Sequence, residues 1–224
     1  MPQFNGVVAH KDELVRKALG TIVAIAPMTT AAVTTILDSA DGSLKALPVG
    51  WVQLGRCTED GITWPRETEV SELFGMGSTG PARSDIRRAT KRVSLTLLEV
   101  RRAALELAQG IDLTAVTTTR TPVTTGSASV TWDEPQLPTY PYMRLLAISR
   151  DITDTGEIYV AKQLTRCRVT EVGEETWSDQ DQAMVTQLTW TAYHDSTAGT
   201  AMRHFRGGPG YASIVATEGF PAAT

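Results

Sequence analysis

The most regular pattern in the chain is an alternation of apolar and polar residues, which is typical of half-buried β-strands. It is clearest in the last third, where Leu188 and Trp190 alternate with threonine and glutamine. An Asp-Thr-Gly sequence and an acidic stretch separate three such segments, and both favour turns. The order predicts a three-stranded antiparallel meander. Its predicted strands are residues 142–151, 157–171 and 184–194.

Shorter strand signals occupy the first third of the chain. Residues 21–27 form a β-branched apolar run that ends in a proline, which predicts a buried strand. Residues 28–45 have no clear period and predict a loop with a weak strand. The pair Asp60-Gly61 favours the left-handed backbone of a tight turn. We therefore predict strand, turn and strand around this pair, with residues 62–69 as the returning strand.

Two segments change to helical spacing. After an alternating strand at residues 93–97, Val100 and Leu107 belong to an apolar stripe that Gly110 closes, which predicts a helix of about ten residues. Residues 12–19 predict a shorter amphipathic helix, also followed by a glycine. Eight residues are marginally helical alone in water, so this helix must pack on its own core or on a neighbouring subunit.

One predicted loop carries more apolar side chains than loops normally do. Residues 69–81 contain three glycines and a proline, yet also Leu73, Phe74 and Met76. Exposed apolar side chains on a loop favour contact with another protein. We predict that these three residues contact a second subunit. The alternative is a loop that folds back over its own core.

The predicted fold class is a mainly β protein, an antiparallel β-sandwich or barrel with one internal α-helix and extended arms. Residues 1–20 are predicted to form an N-terminal arm, 21–195 a single β domain and 196–224 a glycine-rich C-terminal arm. Arms without a core of their own are expected to pack on neighbouring subunits. The residues expected to anchor them are Leu14, Val15, Leu19 and Phe205.

Composition is that of a folded protein, with 42% hydrophobic and 21% charged residues. The longest apolar run is far shorter than the roughly 20 residues that cross a bilayer, so neither membrane insertion nor a secretion signal is expected. The net charge of −4 is too small to indicate a nucleic-acid binder. The charged residues are segregated along the sequence. Those at 83–102 are mostly basic, and those at 171–181 are all acidic. Surfaces of opposite charge attract one another.

No residue pattern predicts catalysis, a cofactor or a metal site. The glycine-rich residues 75–80 lack the Lys-Ser/Thr that completes a phosphate-binding loop. Cys57 and Cys167 lie outside any metal-binding spacing and are expected to be free, reduced core thiols. The histidines are dispersed and have no metal-binding spacing. They are His10, His194 and His204.

Four features follow one another in a fixed order: the strand ending in Ala-Pro, the sequence GWVQLGRCTEDGITW at 50–64, a glutamate-rich strand with its glycine loop, and ARSDIRRATKRVSLTLLEVRRAALELAQGIDL at 82–113. This order resembles the major tail proteins of long-tailed actinobacterial phages over about residues 20–195. The resemblance implies a β-sandwich subunit that forms hexameric rings. It also implies that the rings stack into a non-contractile tail tube, through which DNA passes without specific binding.

The resemblance further implies a place in the virion tail, with the host cytoplasm as the site of assembly. The implied partners are other copies of the chain, the tape measure protein, the tail terminator and the distal tail protein. An acidic channel wall would repel DNA phosphates, so we predict that five acidic residues face the lumen or a ring face. They are Glu171, Glu174, Glu175, Asp179 and Asp181. The alternatives are a terminator or secretion-tube protein, a receptor- or carbohydrate-binding virion module, and an enzyme.

Overall fold

The computed structural model describes residues 10–77, 79–116, 119–120, 128–175 and 186–221. Within these ranges the chain forms eleven β-strands and one α-helix, α1 (Arg102–Gln109). The strands are β1 (Gly20–Pro27), β2 (Val52–Gly55), β3 (Cys57–Thr63), β4 (Arg66–Phe74), β5 (Pro81–Leu97), β6 (Thr119–Arg120), β7 (Ala128–Ser129), β8 (Met143–Thr153), β9 (Gly156–Val172), β10 (Thr186–Ala192) and β11 (Met202–Gly207). The prediction of a mainly antiparallel β protein with one internal helix is confirmed.

One nine-stranded antiparallel sheet contains every strand except the short pair β6 and β7. Its main path runs β2-β1-β8-β9-β10-β5-β3, with β11 paired to β9 and β4 paired to β5. The predicted meander β8-β9-β10 is therefore present. The end strands of the path, β2 and β3, are separated in the chain only by Arg56. The sheet must curl until its two ends adjoin, which gives it an inner and an outer face.

The inner face holds the larger apolar core. Trp190 and Leu188 on β10 are fully buried, in the alternation that the sequence predicts for this strand. Helix α1 packs Ala104 and Leu107 against the same core, and Gly110 ends it in the left-handed conformation at φ 62°. We refer to these buried residues as the inner cluster. Its other members are Val23, Leu54, Val93, Leu95, Leu97, Met143, Leu145, Ala147, Leu164, Cys167, Val169 and Met202.

A second apolar core lies on the outer face of the central strands, under the segment at 28–50. Val33 and Ile36 of this segment are buried against Leu146 and Ile148 of β8. Both faces of β1 and β8 are thus covered, which explains why these strands are continuous apolar runs instead of alternating ones. The weak strand predicted in the covering segment is a single bridge between residues 37 and 44. We refer to this core as the outer cluster.

A buried ion pair fastens the covering segment to the sheet. The Arg144 guanidinium donates to the Asp195 carboxylate and to the Thr165 carbonyl, each at 2.6 Å. Its Nε donates at 2.8 Å to the carbonyl of Thr30, which lies in the covering segment. Arg144 and Asp195 are each only 4% exposed. The network therefore replaces the water that a buried charge would otherwise require.

The prediction of an N-terminal helix is wrong. Residues 12–19 form only a 3₁₀ turn at Asp12–Leu14. The N–H of Leu19 then donates to the carbonyl of Arg150 at 2.9 Å, which lengthens the pairing of β1 with β8. Gly20 is accordingly the first residue of β1 and not a helix cap. Pairing with β8 at Leu19 therefore prevails over a helix that would be only marginally stable alone.

The turn predicted at Asp60-Gly61 lies inside a strand. Cys57 is opposite Leu97 while Ile62 is opposite Leu95, so the residues between them bulge out of β3. Gly61 has the positive φ, 74°, that its turn chemistry predicts. The conformation is therefore as expected, but it bends one strand instead of joining two. The predicted returning strand is divided between β3 and β4.

The predicted C-terminal arm at 196–224 belongs to the sheet as far as β11. That strand pairs with β9, and Phe205 packs against the outer cluster, so Phe205 is not available to anchor a free arm. Three of the glycines that suggested flexibility, Gly207, Gly208 and Gly210, serve close packing instead. A Cβ on Gly210 would lie 2.6 Å from the carbonyl oxygen of Gly156. The prediction of an extended arm is therefore wrong for this described segment.

Candidate functional site

Strands β4 and β5 continue beyond the curled sheet as a long hairpin. Their pairing extends from Arg66 opposite Lys91 to Phe74 opposite Pro81. All nine residues of β4 and the first nine of β5 are exposed. At about 3.3 Å per residue, a nine-residue strand is about 30 Å long. We term β4, the following turn and residues 81–91 of β5 the projecting hairpin.

The prediction of a loop over residues 69–81 is wrong, and the reason is physical. Apolar alternation arises when one side of a strand is buried. The side chains of β4 are exposed on both sides, so its sequence lacks that alternation. Glycine-rich turn chemistry is confined to residues 75–80, at the end of the hairpin.

Opposite charges help the two strands to pair. Most charged residues of β4 are acidic and most of β5 are basic, and Glu69 lies opposite Arg88. Near the base of the hairpin, Arg92 Nη1 lies 3.2 Å from Glu67 Oε1. Each such pair contributes about 0.2–1 kcal/mol. A two-stranded hairpin is nevertheless only marginally stable in water, so the projecting hairpin gains from any surface that covers it.

One face of the projecting hairpin carries apolar side chains on either side of Glu72, and we refer to it as the apolar face. Alternate residues of a strand share a face, which places Val70 and Phe74 together. Ile86 lies opposite Val70, and Pro81 lies opposite Phe74. Both register shifts add an unpaired residue to β5 and leave the alternation of β4 intact. Val70 is 48% exposed and Ile86 70% exposed, so the apolar face is open to solvent.

The three residues predicted to contact another subunit come together at the tip of the projecting hairpin. Leu73 is 65% exposed, Phe74 is 57% exposed and Met76 is fully exposed. Phe74 belongs to the apolar face, while Leu73 points to the opposite face beside Arg83. The tip therefore presents apolar side chains in more than one direction.

A group of basic side chains lies where the projecting hairpin meets the curled sheet. Arg66 is paired with Lys91 on β4 and β5, and His204 is paired with Lys162 on β11 and β9. Arg206 follows His204 on the same face of β11. Burial lowers the pKa of His204, and the four neighbouring cations lower it further. We refer to these five residues as the basic cluster.

Trp64 links the basic cluster to the inner cluster. Its ring packs against the inner cluster, and Lys162 Nζ lies 4.6 Å from the ring centroid. This cation–π contact partly replaces the water that Lys162 loses. Burial lowers the pKa of Lys162, with smaller contributions from Arg66 and Arg206. The five basic residues are therefore neighbours in the fold, which their dispersed positions in the sequence conceal.

The predicted acidic residues lie towards the end of β9, whereas Lys162 of the basic cluster lies near the middle of that strand. Glu171, Glu174 and Glu175 are exposed at or just beyond the end of this strand. Asp179 and Asp181 lie outside the described residues. Their position in an assembled tube stays a prediction.

The predicted N-terminal anchors are on the surface near the start of β1. Leu14 is half-buried, whereas Val15 is 74% exposed and Leu19 is 52% exposed. Arg16 lies 3.8 Å from the Asp151 carboxylate, which holds the segment against the end of β8. Two apolar side chains of the segment thus have no cover in the single chain.

The chemistry of the described residues is sparse. Cys57 and Cys167 are free, as predicted, and Cys167 is fully buried in the inner cluster. Among the described residues, no three or more His, Cys, Asp or Glu side chains come together as a metal site. In the same part of the chain, no helix is long and apolar enough to span a bilayer.

No family model and no curated protein matches the sequence. Solved structures do align with most of it. The anti-feeding prophage cap (AFP tube terminating cap) aligns over 92% of this chain and 99% of its own, at 11% identity and a TM-score of 0.43. The sheath-tube complex of the extracellular contractile injection system PVC aligns over 87% and 95%, at 8% identity and a TM-score of 0.45. An Hcp protein aligns over 83% and 97%, at 8% identity and a TM-score of 0.32.

Proposed function

We propose that this chain is the major tail tube subunit of a long, non-contractile phage tail. In this proposal, copies of the chain form hexameric rings, and the rings stack into a tube through which DNA is delivered. The observation that carries the proposal is the projecting hairpin, whose apolar face and tip are uncovered in the single chain. The ordered sequence features at 50–64 and 82–113, which resemble the major tail proteins, support it.

The energetics favour assembly over a free hairpin. Leu73, Phe74 and Met76 are each more than half exposed, and burying a side chain of this kind is worth about 1.5–3 kcal/mol when its cover is complete. Several such side chains on one hairpin supply enough free energy to order it against a neighbour. In this proposal the tip of one copy packs on a different surface of its neighbour. Such contacts are heterologous, and heterologous contacts generate closed rings or open filaments.

Electrostatic complementarity gives the assembly a direction. Lys162 of the basic cluster lies near the middle of β9, and the exposed residues Glu171 and Glu174 lie at or just beyond its end. Stacking subunits in a constant orientation brings opposite charges of successive copies together. Assembly in this proposal is therefore faster and tighter at low ionic strength than at high ionic strength.

The proposed role is structural and requires no catalytic group. The tape measure protein, the tail terminator and the distal tail protein are the proposed partners of the tube. DNA passes through the lumen without specific binding, because acidic side chains facing the lumen repel phosphates. In this proposal the exposed acidic residues beyond β9 contribute to that wall or to a ring face.

Sedimentation of the purified chain tests the proposal. The wild-type chain is expected to form species much larger than the 24.2 kDa monomer as concentration rises and salt falls. The double substitution Leu73→Ser, Met76→Ser should raise the concentration needed for assembly by about tenfold or more. Val49→Ser is the matched control, because Val49 is 99% exposed and lies outside the projecting hairpin. A wild-type chain that stays monomeric at every concentration and salt contradicts the proposal.

A further inference from the structure

The basic cluster holds positive charges that strand pairing brings close together. Arg66 lies opposite Lys91 in the pairing of β4 with β5, and His204 lies opposite Lys162 in the pairing of β11 with β9. Residues directly opposite each other in an antiparallel pair have Cβ atoms about 4.5–5.5 Å apart, and like charges at this separation are destabilising. The pair of Arg66 with Lys91 therefore opposes the pairing of its own strands.

The chain supplies little negative charge to offset these cations. Among the described residues, the only carboxylate in an ion pair with the basic cluster is that of Glu218, whose Oε2 lies 2.8 Å from Arg206 Nη1. Lys162 has the ring of Trp64 as its partner instead. Three side chains of the basic cluster form neither an ion pair nor a hydrogen bond in the described part of the chain. They are Arg66, Lys91 and His204.

The basic cluster is open to a ligand from solvent. Arg66, His204 and Arg206 are exposed, and Lys91 and Lys162 are half-buried. Burial is the largest influence that lowers the pKa of His204, and all four other members of the basic cluster lower it further. The four cations are therefore near enough to His204 to act on it together. An anion bound among them would relieve their mutual repulsion.

Cationic donors that come from different strands suit a compact anion with several acceptor oxygens. A phosphate group has such oxygens, and its hydrogen bonds to Arg and Lys are charge-assisted, which makes them about twice as strong as neutral ones. A single carboxylate has two oxygens and one charge, so it would leave most of the basic cluster unpaired. We propose that the basic cluster binds a phosphate group through Arg66, Lys91 and Lys162, with the His204 ring as a further donor.

The inference goes beyond the proposed function, because the site belongs to a single chain and does not require assembly. Free phosphate and the backbone of a nucleic acid share the phosphate group, and contacts to a backbone phosphate carry no sequence information directly. The phosphate group is therefore the chemistry that the basic cluster recognises, and the experiment separates its two sources.

Labelling of histidines with diethylpyrocarbonate, read by mass spectrometry, tests the inference. The chain has three histidines, and His10 and His194 are exposed and lie outside the basic cluster, so they serve as internal controls. The wild-type chain is labelled below the onset of assembly, in sodium phosphate or in sodium chloride of equal ionic strength. At ten times the phosphate concentration that gives half-protection, the modification of His204 should be about tenfold slower. Equal rates in phosphate and chloride overturn the inference, as does equal slowing of all three histidines.

A short single-stranded oligonucleotide distinguishes the sources of the phosphate group. Protection of His204 by inorganic phosphate and not by the oligonucleotide supports a site for free phosphate. Protection by the oligonucleotide at an equal or lower concentration of phosphate groups supports a site for a nucleic-acid backbone. Protection by polyglutamate, with none by either phosphate compound, overturns the inference in favour of an acidic protein partner.

The variants Arg66→Gln and Lys91→Gln provide a second measurement. In chloride, each should unfold at the same temperature as wild type or at a higher one, because it removes a repulsion between like charges. In phosphate, each should gain less in Tm than wild type does, and half-protection of His204 should need about tenfold more phosphate. Arg88→Gln is the matched control, because Arg88 lies on the same hairpin, opposite Glu69 and outside the basic cluster.

The two variants also separate this inference from the proposed function. If Arg66→Gln and Lys91→Gln gain as much in Tm from phosphate as wild type and Arg88→Gln do, the inference is overturned. A wild-type chain that assembles but leaves His204 unprotected by phosphate compounds refutes the phosphate site alone. A wild-type chain that never assembles counts against the proposed function and leaves the phosphate site to its own test.

Discussion

Asp195→Asn should leave a buried guanidinium without its counter-charge. Arg144 and Asp195 form an ion pair at 2.6 Å, and each residue is only 4% exposed. Removing one partner of such a pair costs about 3–5 kcal/mol, because the remaining charge stays buried. Arg144 keeps the carbonyls of Thr30 and Thr165 as acceptors, so we expect the lower end, about 3 kcal/mol. That is a large share of the 5–15 kcal/mol by which typical domains are stable.

Urea unfolding of the monomeric chain at pH 7 measures this loss directly. In thermal unfolding of a chain of this size, the same loss of about 3 kcal/mol corresponds to a fall in Tm of roughly 6–12 °C. Asp154→Asn makes the same chemical change on the exposed turn between β8 and β9, and it should stay within about 0.5 kcal/mol of wild type. Its agreement with wild type would assign the effect of Asp195→Asn to burial and not to the loss of a negative charge.

The pH dependence gives a second and independent result. Burial alone would raise the pKa of Asp195, but hydrogen bonds from Arg144 and from the N–H groups of Thr197 and Ala198 outweigh burial and lower it. The ionised carboxylate therefore stabilises the fold above its ordinary pKa of 3.8, and this stabilisation is lost as the pH falls through the lower folded value. The stability difference between wild type and Asp195→Asn should shrink in acid. A difference below about 0.5 kcal/mol at pH 7, or one that does not change with pH, would refute the reasoning.

Three further predictions concern the core. Gly110→Ala should destabilise the chain by more than about 1 kcal/mol, because a Cβ there would lie 2.6 Å from Pro138 Cβ and the backbone has φ 62°. The measurement is thermal unfolding. Gly42→Ala is the control for the backbone cost alone, because Gly42 has φ 70° and open space around it. Trp190→Ala should cost about 3–5 kcal/mol in urea unfolding, since Trp190 is fully buried, and a loss below 1 kcal/mol would contradict its place in the inner cluster. Burial raises the pKa of the Cys167 thiol, so a thiol reagent should modify Cys167 only after unfolding, and rapid labelling of the native chain at neutral pH would contradict its burial.

The strands that could be predicted are those with a consistent burial pattern. β10 alternates because one face packs on the inner cluster, and β1 is continuously apolar because both of its faces are covered. β4 has no buried face, so its sequence lacks the apolar alternation that predicts a strand. The projecting hairpin could therefore not be predicted as a pair of strands. The N-terminal helix was predicted from residues 12–19 alone, whereas backbone pairing of Leu19 with β8 decides their conformation.

The candidate site could be predicted only in part. The combination of Leu73, Phe74 and Met76 with glycines drew attention to the tip, because apolar side chains in a turn are unusual, and their contact with a second subunit stays a prediction. The apolar face required the register, since Ile86 and Val70 are far apart in the sequence and meet only through strand pairing. The basic cluster depends on long-range pairing in the same way and leaves no local pattern in the sequence.

The most direct test of the central claim is electron microscopy of the purified chain over a concentration series at low salt. The account predicts hollow tubes or stacked rings with six subunits in each ring, and their loss when the tip of the projecting hairpin carries Leu73→Ser and Met76→Ser. Single chains at every concentration, or closed dimers formed through one shared surface, would contradict the claim that this protein builds a tube.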